Sequence, residues 1–122
     1  MLRLRSLGSG SSGNATLVEA TGLRKRRLLV DCGLGPKVLQ ARLGRAGLDL
    51  ADIDAMLITH EHHDHMAHAH RIATRHSIPV WMSEGSWRAC GQPDYGELLR
   101  LCAEDQPIDL GEIADHPLFR AA

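Results

Sequence analysis

The chain has 122 residues, of which 43% are hydrophobic, and its 14 basic and 15 acidic residues give a formal net charge of −1. This length and composition are typical of one globular domain and exclude a disordered chain. The balanced charge also excludes a general attraction to nucleic acid or membranes, although a local basic patch would still be compatible with it.

No apolar run approaches the length of a membrane span, and no apolar segment of signal-peptide length follows the basic N-terminal residues. The three cysteines are widely spaced and show no disulfide framework. We therefore expect a cytoplasmic protein with reduced thiols and no membrane partner.

The first predicted elements are two strands joined by a glycine-rich loop. Apolar and polar residues alternate over residues 2–7, which predicts a strand with one polar face. The loop spells Gly8-x-Gly10-x-x-Gly13, which matches the dinucleotide-binding fingerprint by letter. That fingerprint requires a helix after the glycines, whereas residues 15–20 are typical of a second strand. We therefore favour a strand-to-strand connection over a nucleotide site.

A basic cluster, Arg24 to Arg27, follows the turn that begins at Thr21. It is either the solvated tip of a hairpin or a phosphate contact for nucleic acid. Residues 28–30 then form a predicted buried strand that ends at Asp31. A buried carboxylate needs a partner, but an Asp before Gly33 is also an ordinary turn residue.

A helix is predicted to begin at Pro36, because proline suits the first helical position. Val38, Leu39, Leu43 and Ala46 form an apolar stripe at helical spacing, and Gly47 is a plausible end residue. We therefore expect this helix to pack against the core and to carry no catalytic or binding residues.

The most informative stretch runs from Thr59 to His65 and follows the apolar strand 55–58. Four of its seven residues are histidines and one is Asp64, and six histidines fall between residues 60 and 70. If the loop is extended, alternate side chains lie on the same side of the backbone. The next helix is predicted to begin near Met66. Imidazole and carboxylate ligands together suit zinc, manganese or iron. The candidate ligands are His60, His62, His63, Asp64 and His65.

The remainder of the chain is predicted to alternate between helices and strands. Residues 67–76 favour a helix that Ser77 and Pro79 end, and residues 78–82 favour a strand. Ser83 is a candidate cap for the helix around Trp87. A second short helix is predicted over residues 95–102 and a hairpin over residues 107–119.

The motif spells His-x-His-x-Asp-His, and the sequence resembles the metallo-β-lactamase superfamily. The order of three further segments is similar to that of its YycJ/WalJ-like branch. These segments are Ser6–Asn14, Leu28–Gly33 and Ile78–Trp81. The resemblance runs from about Leu2 to about Phe119.

The resemblance implies that His60 and His62 bind one divalent ion and that Asp64 and His65 bind another, with zinc or manganese as the metals. It assigns a catalytic role to Asp64 and makes Asp31 a residue that steadies the metal loop. The family also uses a third histidine at the first metal, a bridging Asp and a later histidine. We expect this chain to stop before all three. His116 is the only late histidine, and residues 116–119 resemble the strand that precedes the third ligand in the family rather than the ligand itself.

The fold implied by the resemblance is α/β (α+β), a mixed sheet with flanking helices that corresponds to the N-terminal half of a four-layer αββα sandwich. Residues 1–122 would be one apparently truncated domain. Its inner apolar face would lack a cover, which favours self-association or pairing with a missing C-terminal half.

The resemblance implies a metal-dependent hydrolase, with nucleic-acid phosphodiesters as the expected substrate of the full-length form. The alternative is a non-catalytic metal-binding remnant or fragment. Metal stoichiometry separates these two readings, because a working site requires both ions.

Overall fold

The computed structural model describes residues 2–10, 13–21, 25–59 and 66–102. Within these ranges, six strands form one mixed sheet in the order β1-β2-β3-β4-β5-β6. The strands are β1 Leu2–Gly8, β2 Ala15–Thr21, β3 Lys25–Val30, β4 Ala55–Leu57, β5 Val80–Ser83 and β6 Leu99–Cys102. The first three strands are antiparallel neighbours, and β3 to β6 are parallel.

Helices connect the parallel strands, as parallel pairing requires a crossover. The described helices are α1 Pro36–Arg45, α2 Ala69–His76 and α3 Glu84–Ala89. Short 3-10 turns cover Leu50–Asp52 and Gly96–Leu98. A mixed sheet with helices is therefore confirmed.

The helix ends follow from local sequence chemistry. Pro36 occupies the start of α1, and Ser83 caps α3 by accepting a hydrogen bond from the backbone N–H of Ser86, both as predicted. Ser77 ends α2 in the left-handed conformation, with φ of 55°. The helix begins at Ala69 rather than Ala67, because His68 has φ of −118° and ψ of 5°, outside the helical range.

The main hydrophobic core lies between the sheet and the helices. Leu17, Leu29 and Met56 contribute from the strands and are fully buried. Leu39 of α1 and Ile72 of α2 pack into the same cluster. These two helices therefore cover the same face of the sheet.

The opposite face of the sheet carries a second, smaller apolar cluster. Val18, Leu28, Ala55 and Trp81 form it, and each is 8% exposed or less. Leu4, which lies opposite Val18 on the edge strand, is 74% exposed. The centre of this face is therefore buried and its edge at Leu4 is exposed, and the expected lack of a cover stays a prediction.

The short helix predicted over residues 95–102 is wrong. The structure has a 3-10 turn at Gly96–Leu98 and then the edge strand β6, which pairs in parallel with β5. Gly96 has φ of 62°, which a continuous helix excludes. Pairing with β5 therefore decides the conformation of a segment that is too short to fix it alone. The hairpin predicted over 107–119 lies outside the described residues.

The packing of α1 gives a direct test of the core. Replacing Leu39 by Ala should lower the free energy of unfolding by about 2–5 kcal/mol, because it removes a fully buried side chain and leaves a cavity. The neighbouring Val38 is 45% exposed, and Val38→Ala should change stability by about 0.5 kcal/mol or less. Urea unfolding measures both, and equal losses would contradict the placement of α1.

Candidate functional site

The motif begins where two parallel strands end side by side. β3 runs directly into Asp31, and β4 is followed by Ile58 and Thr59. The backbone N–H of Asp31 donates to the carbonyl of Leu57 at 2.7 Å, so the two chain segments remain paired beyond β3. In parallel sheets the carboxyl ends of strands form the usual ligand crevice. His60 comes next in the sequence after Thr59.

The Asp31 carboxylate is held by Thr59. Its Oδ1 accepts hydrogen bonds from the backbone N–H of Thr59 at 2.8 Å and from the hydroxyl at 2.9 Å. The hydroxyl also lies 2.8 Å from Oδ2. Asp31 is 7% exposed and has φ of 64°, a conformation that Asp tolerates better than most residues. The partner that a buried carboxylate requires is therefore the residue immediately before the motif.

The other side of the motif is anchored to the same segment. The backbone N–H of His68 donates to the carbonyl of Cys32 at 3.2 Å. The guanidinium of Arg71 donates to Nδ1 of the His68 ring at 2.8 Å, which leaves the proton of a neutral ring on Nε2. Asp31 and Cys32 thus fix the chain on both sides of residues 60–65.

The glycine-rich loop packs against this segment as well. Gly13 has φ of 142°, and a Cβ added there would lie 2.8 Å from the carbonyl oxygen of Gly33. The N–H of Gly33 donates to the carbonyl of Asn14 at 2.9 Å. The side chain of Asn14 forms two further hydrogen bonds with the backbone of Gly10. The predicted strand-to-strand connection is confirmed, and it contacts the segment that holds Thr59.

Burial keeps the nearby thiol and phenol neutral. Burial, with a smaller contribution from the charge of Asp31, raises the pKa of Cys32 to about 12. Burial also raises the pKa of Tyr95, with smaller contributions from Cys90 and Cys32. Neither group is therefore available as a nucleophile or base at neutral pH.

The candidate ligands themselves, His60, His62, His63, Asp64 and His65, lie outside the described residues, as does His116. Among the residues that the structure does describe, no group of three or more His, Cys, Asp or Glu side chains is placed to hold a metal ion. The ligand assignments therefore stay predictions. The donor set of imidazoles and a carboxylate fits zinc or manganese.

Part of the basic cluster predicted at residues 24–27 forms contacts within the protein. Arg27 forms an ion pair with Glu19 at 3.1 Å, and its backbone N–H donates to Asp54 at 2.8 Å. Lys25 is exposed at the start of β3, and Arg24 lies outside the described residues. The part of the cluster that remains available to a ligand is therefore smaller than its sequence indicates.

Thr59 and His68 were assigned no role in fixing the motif from sequence. The sequence feature that could have identified Thr59 is its position between a buried strand and the first histidine. This position places its hydrogen-bond donors where β3 and β4 end. For His68 the sequence carries no such signal, because its contribution comes from a backbone N–H that any residue except proline has.

A family model of the Metallo-beta-lactamase superfamily matches residues 8–115. The chain therefore belongs to this superfamily. It is similar to an exodeoxyribonuclease YycJ of Bacillus anthracis, with 38% identity over 88 residues, 72% of this chain and 32% of the relative. It is also similar to a ribonuclease Z of Mycobacterium sp. (strain KMS), with 30% identity over 125 residues, 96% of this chain and 42% of that protein.

The fold is similar to that of the solved Rm3 metallo-beta-lactamase, with a TM-score of 0.63 and 20% identity. The alignment covers 88% of this chain and 45% of that structure. The chain thus spans about a third of the exodeoxyribonuclease and less than half of the β-lactamase. In the described ranges, no helix has the length and apolar character that crossing a membrane requires.

The hydrogen bonds by which Asp31 holds Thr59, here called the Asp31 clamp, predict a loss of metal affinity when the charge of Asp31 is removed. Asn tolerates the left-handed conformation of Asp31 but is a weaker acceptor than a carboxylate. Asp31→Asn should therefore lower zinc affinity by about 10–100-fold, as measured by titration against a competing chelator. Asp54 also accepts a backbone N–H, from Arg27, and Asp54→Asn is the matched control that should keep wild-type affinity. Equal affinity of Asp31→Asn and the wild type would contradict the clamp.

The contact of Gly13 with Gly33 predicts opposite effects of two glycine substitutions. Gly13→Ala should lower the free energy of unfolding by about 1–3 kcal/mol, because its φ and the contact with Gly33 both exclude a Cβ. Gly44→Ala, inside α1 with nothing near its Cβ position, should raise it by about 0.5–1 kcal/mol. Chemical denaturation distinguishes the two, and a shift in the same direction would show that the loop does not pack as described.

Proposed function

We propose that this chain carries metal ligands of a hydrolase that cleaves phosphodiester bonds in nucleic acid. The observation that carries the proposal is the anchoring of both sides of the motif on Asp31 and Cys32, which restricts how its histidines and carboxylate can be arranged. The names of the relatives, an exodeoxyribonuclease and a ribonuclease, support nucleic acid as the substrate class.

In the proposed site, His60 and His62 hold one divalent ion, and Asp64 and His65 hold the other. The chemistry that two such ions supply is activation of a water molecule and neutralisation of charge on the phosphoryl group. Zinc and manganese both suit this donor set.

The described residues contribute positioning rather than contact with substrate. Asp31 fixes the backbone and the hydroxyl of Thr59, and the backbone of His68 is fixed by Cys32. Ligands that project from a loop held on both sides lose less conformational entropy when they bind a metal. Partners of this kind commonly determine metal affinity.

A second candidate function is metal binding without catalysis. Four ligands divided between two ions give each ion only two. Among the described residues, no group of three or more His, Cys, Asp or Glu side chains is placed to hold a metal ion by itself. A catalytic zinc usually has three protein ligands and an open position. We therefore propose that the 122-residue chain alone binds metal but cleaves nucleic acid slowly, and that pairing with a further domain or a second copy completes the site.

A cytoplasmic location is part of the same proposal. Cys32, Cys90 and Cys102 form no disulfide bond in the structure. Free cysteines are typical of proteins in a reducing compartment.

The test of this proposal measures metal content before activity. The purified chain should bind zinc or manganese, and His60→Ala combined with His62→Ala should lower the content found by elemental analysis by about one ion per chain, because it removes both proposed ligands of the first metal. Unchanged metal content in the double variant would show that these residues are not ligands.

Release of nucleotides from a labelled DNA duplex with a free 5′ end then separates the two functions. We expect release about 100-fold or more slower than by the exodeoxyribonuclease relative assayed alongside, since incomplete ligand sets should cost at least as much as lost supporting contacts. Any release by the chain should disappear in Asp64→Ala. Rapid release that persists in Asp64→Ala would indicate a contaminating nuclease, and rapid release that depends on Asp64 would show a complete site in this chain.

A further inference from the structure

Positive charge is concentrated on the two helices that flank the motif in sequence. α1 carries Lys37, Arg42 and Arg45, and α2 carries Arg71 and Arg75 together with two histidines. Neither helix contains Asp or Glu. Because the whole chain has a net charge of −1, this layer is far more basic than the rest of the molecule.

A cleft of about 510 Å³, here called the α1–α2 cleft, is bordered by these two helices. Its basic side chains are Lys37 from α1 and Arg75 and His76 from α2. The other residues that line it are mostly apolar: Pro36, Ala41 and Leu50, with the amide of Gln40. The cleft is shallow and open to solvent, and no acidic side chain among the described residues lines it.

The cationic groups of this cleft are available to a ligand. Lys37 and Arg75 are exposed, and no carboxylate of the described residues forms an ion pair with either. By contrast, Arg27 is paired with Glu19, and Arg88 is paired with Glu84.

The polar groups near Leu50 serve the protein itself. Gln40 accepts a hydrogen bond from the backbone N–H of Leu50 at 3.2 Å. Asp49 and Asp52, which flank Leu50 in sequence, accept backbone hydrogen bonds at 3.1 and 2.8 Å. Their negative charge disfavours an anion at that end of the cleft, so an anionic group is expected nearer to Lys37 and Arg75.

We propose that the α1–α2 cleft binds the phosphate backbone of a single nucleic-acid strand. The inference rests on the proposed function, in which nucleic acid is the substrate, and it adds a contact surface separate from the metal ligands. Arg75 can donate two parallel hydrogen bonds to a phosphate, and Lys37 acts as a point charge. The side chain of Ala41 is exposed, so it can lie against the sugars between phosphates.

The position of the cleft fits this role. It begins at Pro36, and the preceding Gly35 lies beside the ring of His68, close enough that an added Cβ would be 3.7 Å from the ring. The start of α1 is therefore next to the residue that anchors the far side of the motif. A strand whose end reaches the motif can continue along α1 into the cleft.

The test is equilibrium binding of a fluorescein-labelled single-stranded DNA in EDTA, where hydrolysis does not occur. Lys37→Glu combined with Arg75→Glu should weaken binding roughly 10-fold at low salt. It should also lower the slope of log K against log[salt] by about 1.4, because each single-strand phosphate contact contributes about 0.7. Arg3→Glu combined with Arg5→Glu, at exposed positions of β1, makes the same change in net charge and should leave the slope unchanged.

Each outcome of this experiment decides the proposal. An equal loss of DNA affinity in both double variants would show that binding depends only on net charge, and it would overturn the proposal. Absence of DNA binding by the wild type, or stronger binding of polyglutamate than of DNA, would also overturn it, the latter in favour of an acidic protein partner. If thermal unfolding shows that the glutamate variant is not folded, Lys37→Gln with Arg75→Gln replaces it, against Arg3→Gln with Arg5→Gln.

The nuclease assay distinguishes this inference from the proposed function. Cleft-dependent DNA binding without any metal-dependent release of nucleotides would support the cleft and favour metal binding without catalysis in this chain. Release of nucleotides with unchanged DNA binding in Lys37→Glu/Arg75→Glu would support the hydrolase and contradict the cleft.

Discussion

The carboxylate of Asp31 is the point on which the arrangement around the motif depends. It is nearly inaccessible to solvent, and a buried charge without donors would be strongly destabilising. Thr59 supplies both a backbone and a hydroxyl donor, so the end of β3 and the segment after β4 are joined by charge-assisted hydrogen bonds. Since Cys32 also holds the backbone of His68, two adjacent residues of one segment fix the chain before and after the motif.

The sheet and its helices make this arrangement possible, because they bring distant segments to the edge of the sheet where β3 and β4 end. β3 and β4 are parallel neighbours, so their carboxyl ends meet even though α1 lies between them in the sequence. The glycine-rich loop reaches the same edge from β1 and β2, and the absence of a side chain at Gly13 lets it approach Gly33 closely. The site region therefore depends on backbone hydrogen bonds and close backbone packing as well as on the carboxylate of Asp31.

Much of the fold could be predicted from local patterns. Alternation of apolar and polar residues indicated β1, proline and glycine indicated the limits of α1, and Ser83 indicated the start of α3. The segment at residues 95–102 was assigned wrongly, because its conformation depends on pairing with β5 rather than on its own sequence.

For the candidate site, sequence identified Asp31 as a residue in need of a partner but not Thr59 as that partner. The reason is that the contact joins residues from two different strands. The α1–α2 cleft could not be foreseen either, because Lys37 and Arg75 come from helices that only the packed core brings together. The candidate metal ligands come from the sequence motif, and they lie outside the described residues.

The left-handed backbone of Asp31 restricts which amino acids this position can accept. Glutamate would keep the negative charge, but its longer side chain would misplace the carboxylate, and it is disfavoured at φ of 64°. Glycine and asparagine accept that conformation, but one has no acceptor and the other has no charge. Backbone and electrostatics therefore impose separate demands on a single position, and aspartate is the amino acid that meets both.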